Sequence, residues 1–167
     1  MDITFGGNKV NLEGKEIKVG DVAPEFKAVK RDLSDFNSAD LKGKIVVYSV
    51  APSIDTPVCA IQATTFNEEA TKLSDDVKIV TVTVDLPFAQ ERFCSVKGIE
   101  NADIVSDYRY KEFGQKYGFM MEELQLLARG VVIVDRDGKV QYVEYVPEVT
   151  HEVNFEKALE EVKKLKW

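Results

Sequence analysis

Two cysteines and a single histidine are all that 167 residues hold of the strongest transition-metal ligands. A four-ligand zinc site would need carboxylates as well, and no such arrangement of spacings is present, which argues against structural zinc. There is no Cys-x-x-Cys, no glycine-rich phosphate loop and no His-Glu-x-x-His. No apolar run exceeds five residues, against the roughly 18 needed for a membrane helix. Met1-Asp2-Ile3-Thr4 has neither the basic start nor the apolar stretch of a secretory signal. The polypeptide is therefore expected to be soluble, with no membrane association, and most simply cytoplasmic. That compartment keeps thiols reduced, so the two cysteines read as catalytic or inert rather than as a permanent staple. Net charge is −7, from 22 basic and 29 acidic residues, and no Lys/Arg cluster offsets it. A phosphate backbone would repel such a chain, which argues against a nucleic-acid partner.

What is present is an ordinary globular composition, 44% hydrophobic with nine Phe and six Tyr, over a length suited to one domain, residues 1–167. Ile3–Phe5 and Val10–Leu12 flank the turn Gly6-Gly7-Asn8 and read as a hairpin. An irregular stretch follows. Lys44–Val50 and Lys78–Val84 read as strands buried on both faces, with a helix from about Pro57 to Leu73 between them. That is a βαβ unit with a right-handed crossover. Phe88–Val96 reads as a helix, Ala102–Val105 as a strand and Tyr110–Tyr117 as a helix. Gly130–Val134 and Lys139–Val146 are strands joined by the Asp-Gly step of Asp135-Arg136-Asp137-Gly138. From about Glu152 to Leu165, Phe155, Ala158, Leu159, Val162 and Leu165 share one face of an amphipathic helix. The order βαβ, helix, ββα gives an α/β class with thioredoxin-like topology: a central mixed β-sheet flanked by helices, extended by the N-terminal β-hairpin.

Cys59 carries the clearest chemistry. It follows Pro57, a residue favoured in the first helical turn, with Thr56 or Asp55 as the N-cap. A thiol there faces unpaired backbone N–H groups and the positive end of the helix dipole, both of which favour thiolate, the reactive form. The bland alternative rests on spacing: Cys59, Ala63, Phe66, Ala70 and Leu73 form one apolar helical face, where a free cysteine is usually a small buried hydrophobe. Cys94, beside Phe93, is a packed core thiol on the same reasoning, or a resolving thiol that condenses with oxidised Cys59. Locally, Arg129 reads as a solvated residue at a strand entrance and His151 as an exposed cap-region residue. Asp135 and Asp137 read as turn residues, and Met120-Met121 as core packing or a contact surface.

The stretch Pro52-Ser53-Ile54-Asp55-Thr56-Pro57-Val58-Cys59 resembles the Pro-x-x-x-Thr-x-x-Cys active-site loop of the peroxiredoxins, and its fuller wording resembles one branch, the bacterial thiol peroxidases, which are atypical two-cysteine peroxiredoxins. Asp85-Leu86-Pro87-Phe88-Ala89-Gln90 leading to Arg92-Phe93-Cys94, Leu127-Ala128-Arg129, and Glu148-Val149-Thr150 match as well. One departure is Val153 after Glu152, where the family pattern has a Pro. The resemblance implies a thioredoxin-dependent peroxidase acting on hydrogen peroxide and on alkyl or lipid hydroperoxides, without metal, flavin or haem, and a homodimer. It implies Cys59 as peroxidatic nucleophile and Cys94 as the resolving partner in an intramolecular disulfide. Arg129 would stabilise charge on sulfur and peroxide, Thr56 would orient the attack, and Pro52 would shield the site. Two alternatives remain at this point: a thioredoxin-like disulfide exchanger, against which the missing Cys-x-x-Cys counts, and a non-enzymatic scaffold with inert thiols.

Overall fold

Six consecutive buried residues, Ile45–Val50, form an interior strand of a seven-stranded sheet in the computed structural model of the chain, which describes residues 1–70, 72, 76–98 and 103–165. In chain order the strands are β1 (Ile3–Phe5), β2 (Asn8–Val10), β3 (Leu12–Glu13), β4 (Lys27–Lys30), β5 (Asp35–Asn37), β6 (Ile45–Val50), β7 (Val77–Thr83), β8 (Asp103–Ser106), β9 (Met120–Met121), β10 (Gly130–Val134) and β11 (Val140–Tyr145). The helices are α1 (Pro57–Ala70), α2 (Pro87–Lys97), α3 (Glu112–Tyr117) and α4 (Phe155–Leu165).

The large sheet runs β11-β10-β6-β7-β8-β4-β5. β6, β7 and β8 are parallel, and the outer pairings are antiparallel. The sheet is therefore mixed, as the sequence led us to expect. Alternation along β6 divides the core. Val46, Tyr48 and Val50 face Phe113 and Tyr117 of α3, whereas Ile45 and Val47 face Phe66 of α1 and Ala158 and Val162 of α4. Cys94 of α2 lies in its own small cluster with Ile104 of β8 and Phe93.

Sequence and structure differ in several elements. β4 and β5 lie in the stretch read as irregular; four residues with only their middle pair buried are too few to display a period. β2 begins at Asn8, so the hairpin turn is Gly6-Gly7 alone, both at positive φ. α3 begins at Glu112 rather than Tyr110, and α4 at Phe155 rather than Glu152. The expected ends at Leu73 and Ala102 fall outside the described residues. Met120 and Met121 are fully buried and pair with β3, so they are core rather than contact surface.

The N-terminal hairpin is pinned to the far end of the chain. Thr4 N–H donates to the Pro147 carbonyl and Val149 N–H to the Thr4 carbonyl, each at 2.8 Å. The Glu148 carboxylate accepts from Thr150 N–H (2.9 Å), Gly7 N–H (2.7 Å), Gly6 N–H (3.0 Å) and the Thr4 hydroxyl (2.9 Å). These donors hold its carboxyl well below the usual range, the Thr150 backbone N–H contributing most.

A second carboxyl, Asp107, is fully buried and caps α3 by accepting from Gly114 N–H at 2.8 Å and Phe113 N–H at 3.0 Å. Burial outweighs these bonds and pushes its pKa up to about 6. An unfolded Asp titrates near 3.9, so between about pH 4 and 6 the folded chain binds the proton more tightly, and stability is lost as pH rises through that window. Urea unfolding of wild type and Asp107→Asn should therefore show wild type losing ground to the variant from pH 4 to 6.5, by on the order of 2 kcal/mol. A constant difference across that range would place the folded-state pKa at its ordinary value.

Candidate active site

The loop from Ala51 to Thr56 turns the chain from the end of β6 into α1. Pro52 and Ile54 are buried, whereas Asp55 and Thr56 are exposed. Thr56 caps the helix: its Oγ1 accepts weakly from Cys59 N–H at 3.4 Å while its hydroxyl donates to the Ser53 carbonyl at 3.2 Å. The Thr56 hydroxyl, expected to orient the attack, thus donates to Ser53 here, and donation to Cys59 requires the hydroxyl to turn. Asp85, just beyond β7, braces the loop by accepting from Ser53 Oγ at 2.7 Å and Ile54 N–H at 2.8 Å.

Cys59 is 1% exposed and Arg129 is 2% exposed. Arg129 is therefore not the solvated residue that its place before a strand suggested. Its guanidinium donates from Nη2 to Cys59 Sγ at 3.1 Å, from Nη1 to Gln62 Oε1 at 2.9 Å and from Nε to the Val149 carbonyl at 2.6 Å. None of these partners is a carboxylate. A buried cation whose other contacts are neutral oxygens favours negative charge on the sulfur it touches. Gly130 makes the close packing behind it feasible. A Cβ there would lie 2.0 Å from the Glu144 carbonyl oxygen and 2.7 Å from the Phe119 ring.

Gln62 and Asp85 are the functional candidates that the sequence reading missed. Gln62 is buried and also donates to Ser49 Oγ (2.8 Å) and the Val50 carbonyl (3.1 Å), so it ties α1 to β6 and fixes Arg129. The available signal was its position three residues after Cys59, a polar side chain one turn along the same face. The backbone of Glu148-Val149-Thr150 serves Arg129 through a carbonyl, which no side-chain pattern reveals.

Cys94 packs in the small cluster with Ile104 and Phe93. It is 0% exposed. Burial pushes its thiol up from the ordinary range, opposed by the positive charge of Arg31, which pairs with Glu91 at 3.4 Å. Both cysteines are free thiols. His151 is exposed, and Asp135 caps its turn by accepting from Asp137 N–H and Lys139 N–H, as expected of a turn residue.

Residues 18–159 match the Redoxin family. The chain is 49% identical over 164 residues to a thiol peroxidase of Bacillus subtilis, covering 98% of each chain. It belongs to the thiol peroxidases. It is 51% identical to one of Halalkalibacterium halodurans, covering 96% of each. A crystal structure of a peroxiredoxin-like protein from Aquifex aeolicus superposes with a TM-score of 0.92 at 41% identity, over 98% of this chain and 96% of that one. A thiol peroxidase from Chromobacterium violaceum, 19% identical, shares the fold with a TM-score of 0.84, over 98% of each. Membership makes the chain an enzyme of the thiol-dependent peroxidase class, which removes the scaffold alternative.

Arg129→Ala should slow iodoacetamide alkylation of Cys59 in the native reduced protein at pH 7 by about tenfold, the equivalent of one charge-assisted hydrogen bond to the sulfur. Mass spectrometry of timed samples reads the rate. An unchanged rate would mean that the guanidinium does not stabilise the sulfur anion.

Proposed function

We propose that this chain reduces hydrogen peroxide and organic hydroperoxides, alkyl and lipid ones included, with Cys59 as the peroxidatic nucleophile, Cys94 as the resolving thiol and thioredoxin as the reductant. The observation that carries the reading is the Arg129 guanidinium 3.1 Å from Cys59 Sγ, a fixed positive charge where negative charge must develop.

The Cys59 thiolate attacks one peroxide oxygen. A sulfur–oxygen bond forms as the oxygen–oxygen bond breaks, and the departing hydroxide or alkoxide takes a proton to leave as water or alcohol. Sulfur is oxidised to sulfenic acid and peroxide is reduced. Arg129 serves throughout, because the charge moves from sulfur to the leaving oxygen within reach of one guanidinium, a preorganised donor needing no reorganisation. Gln62 and the Val149 carbonyl keep that guanidinium aimed. Thr56 holds the first turn of α1, and its exposed hydroxyl is available to an incoming peroxide. Pro52, buried behind the loop, limits water around the sulfenic acid.

Cys94 then attacks the Cys59 sulfenic sulfur. A disulfide forms, and the thiol proton leaves with the hydroxyl as water. The thioredoxin dithiol accepts the oxidation by exchange and restores both thiols. The whole cycle belongs to one catalytic domain, residues 1–167, working in the cytoplasm. A homodimer fits the exposed apolar side chains beside the site: Leu86 at 53%, Phe88 at 67% and Ile61 at 45% exposure.

Separate replacement of the two cysteines tests the scheme. Cys59→Ser should abolish reaction with peroxide, since a serine hydroxyl stays protonated at neutral pH. Cys94→Ser should consume one equivalent of peroxide per chain, stop as sulfenic acid, lose thioredoxin-linked NADPH turnover and advance to sulfinic acid with excess peroxide. Full turnover in Cys94→Ser would remove the resolving role, whereas equal first-step losses in both variants would point to a disulfide exchanger.

A further inference from the structure

Both sulfurs are buried, and they lie in separate contacts. Cys59 meets Arg129, and Cys94 packs with Ile104 and Phe93. A disulfide requires their Cα atoms within about 7 Å and their Cβ vectors facing. Forming it requires one or both segments to leave these contacts, and a hydrogen-bonded network connects the two.

It begins in the loop before Cys59, where Ser53 Oγ and Ile54 N–H donate to the two oxygens of the Asp85 carboxyl at 2.7 and 2.8 Å. Thr83 Oγ1 also donates to Asp85 Oδ2, at 2.8 Å. The same Thr83 oxygen accepts from Asp85 N–H at 3.1 Å and from Gln90 Nε2 at 3.0 Å. Gln90 Nε2 further donates to the Val105 carbonyl at 3.0 Å, and the Ser106 hydroxyl donates to the Asp85 carbonyl. Thr83, Gln90 and Ser106 are fully buried. Gln90 lies one turn before Cys94 on α2, so Asp85 and Thr83 form a junction between the Cys59 loop and the Cys94 helix.

We propose that Asp85 is a positioning residue shared by both redox segments, and that through Thr83 and Gln90 it couples release of the Cys59 loop to release of the Cys94 helix. With the junction closed, Cys59 is held against Arg129 for the peroxide step and Cys94 is kept apart. Opening at either end withdraws partners from buried polar groups at the other, which favours opening there as well. Coupling of this kind is reciprocal: a change at Gln90 must be felt at Ser53 as a change at Ser53 is felt at Gln90.

The proposal rests on the two-cysteine cycle, but hydrogen exchange on reduced protein without peroxide tests the coupling independently of it. Gln90→Leu keeps the buried volume and removes the link on the α2 side. Ser53→Ala removes one donor and keeps every carboxyl. Gln90→Leu should speed exchange of amides in residues 53–60 by about tenfold, although the Gln90 side chain donates to none of them, and Ser53→Ala should do the same in 87–97. If each variant accelerates exchange only in its own segment, the coupling is overturned. Stopped-flow kinetics of Asp85→Asn supply the mechanistic arm. The peroxide step should slow about tenfold while disulfide formation from the sulfenic acid does not slow, because the loop is displaced towards its open form. Equal slowing of both steps would assign Asp85 a merely structural role. Failure of the unmodified chain to react with peroxide at Cys59, with exchange coupled as expected, would instead count against the peroxidase cycle.

Discussion

The Arg129 guanidinium carries a charge that does not leave at physiological pH, and it is 2% exposed. Burying such a group costs several kcal/mol unless its donors are met and an anion compensates the charge. Here the donors are met by the Val149 carbonyl, Gln62 and Cys59. Much of the surrounding architecture can be read as the means of holding those three partners. α1 supplies the sulfur and the amide on one face. The segment 147–150 supplies the carbonyl, and the N-terminal hairpin clamps that segment through Thr4 and Glu148. The hairpin therefore bears on the chemistry at a distance, by fixing the acceptor that orients the cation.

Most of this frame was legible because buried strands announce themselves. β6 and β10 are nearly continuous apolar runs, β7 is rich in β-branched Val, Ile and Thr, and turn residues bound them. Cys59 at a helix start was legible for the same reason: Pro57 and Thr56 are local signals. Arg129 was not, because its burial depends on partners 20 and 67–70 residues away in sequence; its local neighbourhood reads as a strand entrance, and only the resemblance to peroxiredoxins marked it. Gln62 and Asp85 were lost to the same blindness. A glutamine in a helix and an aspartate after a strand are ordinary surface residues until the fold turns them inward. β4 and β5 were missed on different grounds, since edge strands this short rely on the sheet they join.

Where the chain can give way follows from how each part is anchored. β6 is bonded on both sides by backbone ladders, to β7 along Ile45–Val50 and to β10 along Val46–Val50. Opening it would break many hydrogen bonds at once and expose both cores. The Cys59 loop and the start of α2 are held instead by a handful of side-chain bonds converging on Asp85 and Thr83. Local opening draws on regions with few such bonds and little buried apolar contact. Among the described residues Cys94 shares its cluster with Ile104 and Phe93, whereas the cores on the two faces of β6 are extensive. In the proposed cycle the sheet would keep Arg129 and its acceptors in register while the sulfur-bearing segments open. A sulfenic acid formed at Cys59 beside that fixed cation would then be met by the Cys94 thiol, from a segment held by few side-chain bonds.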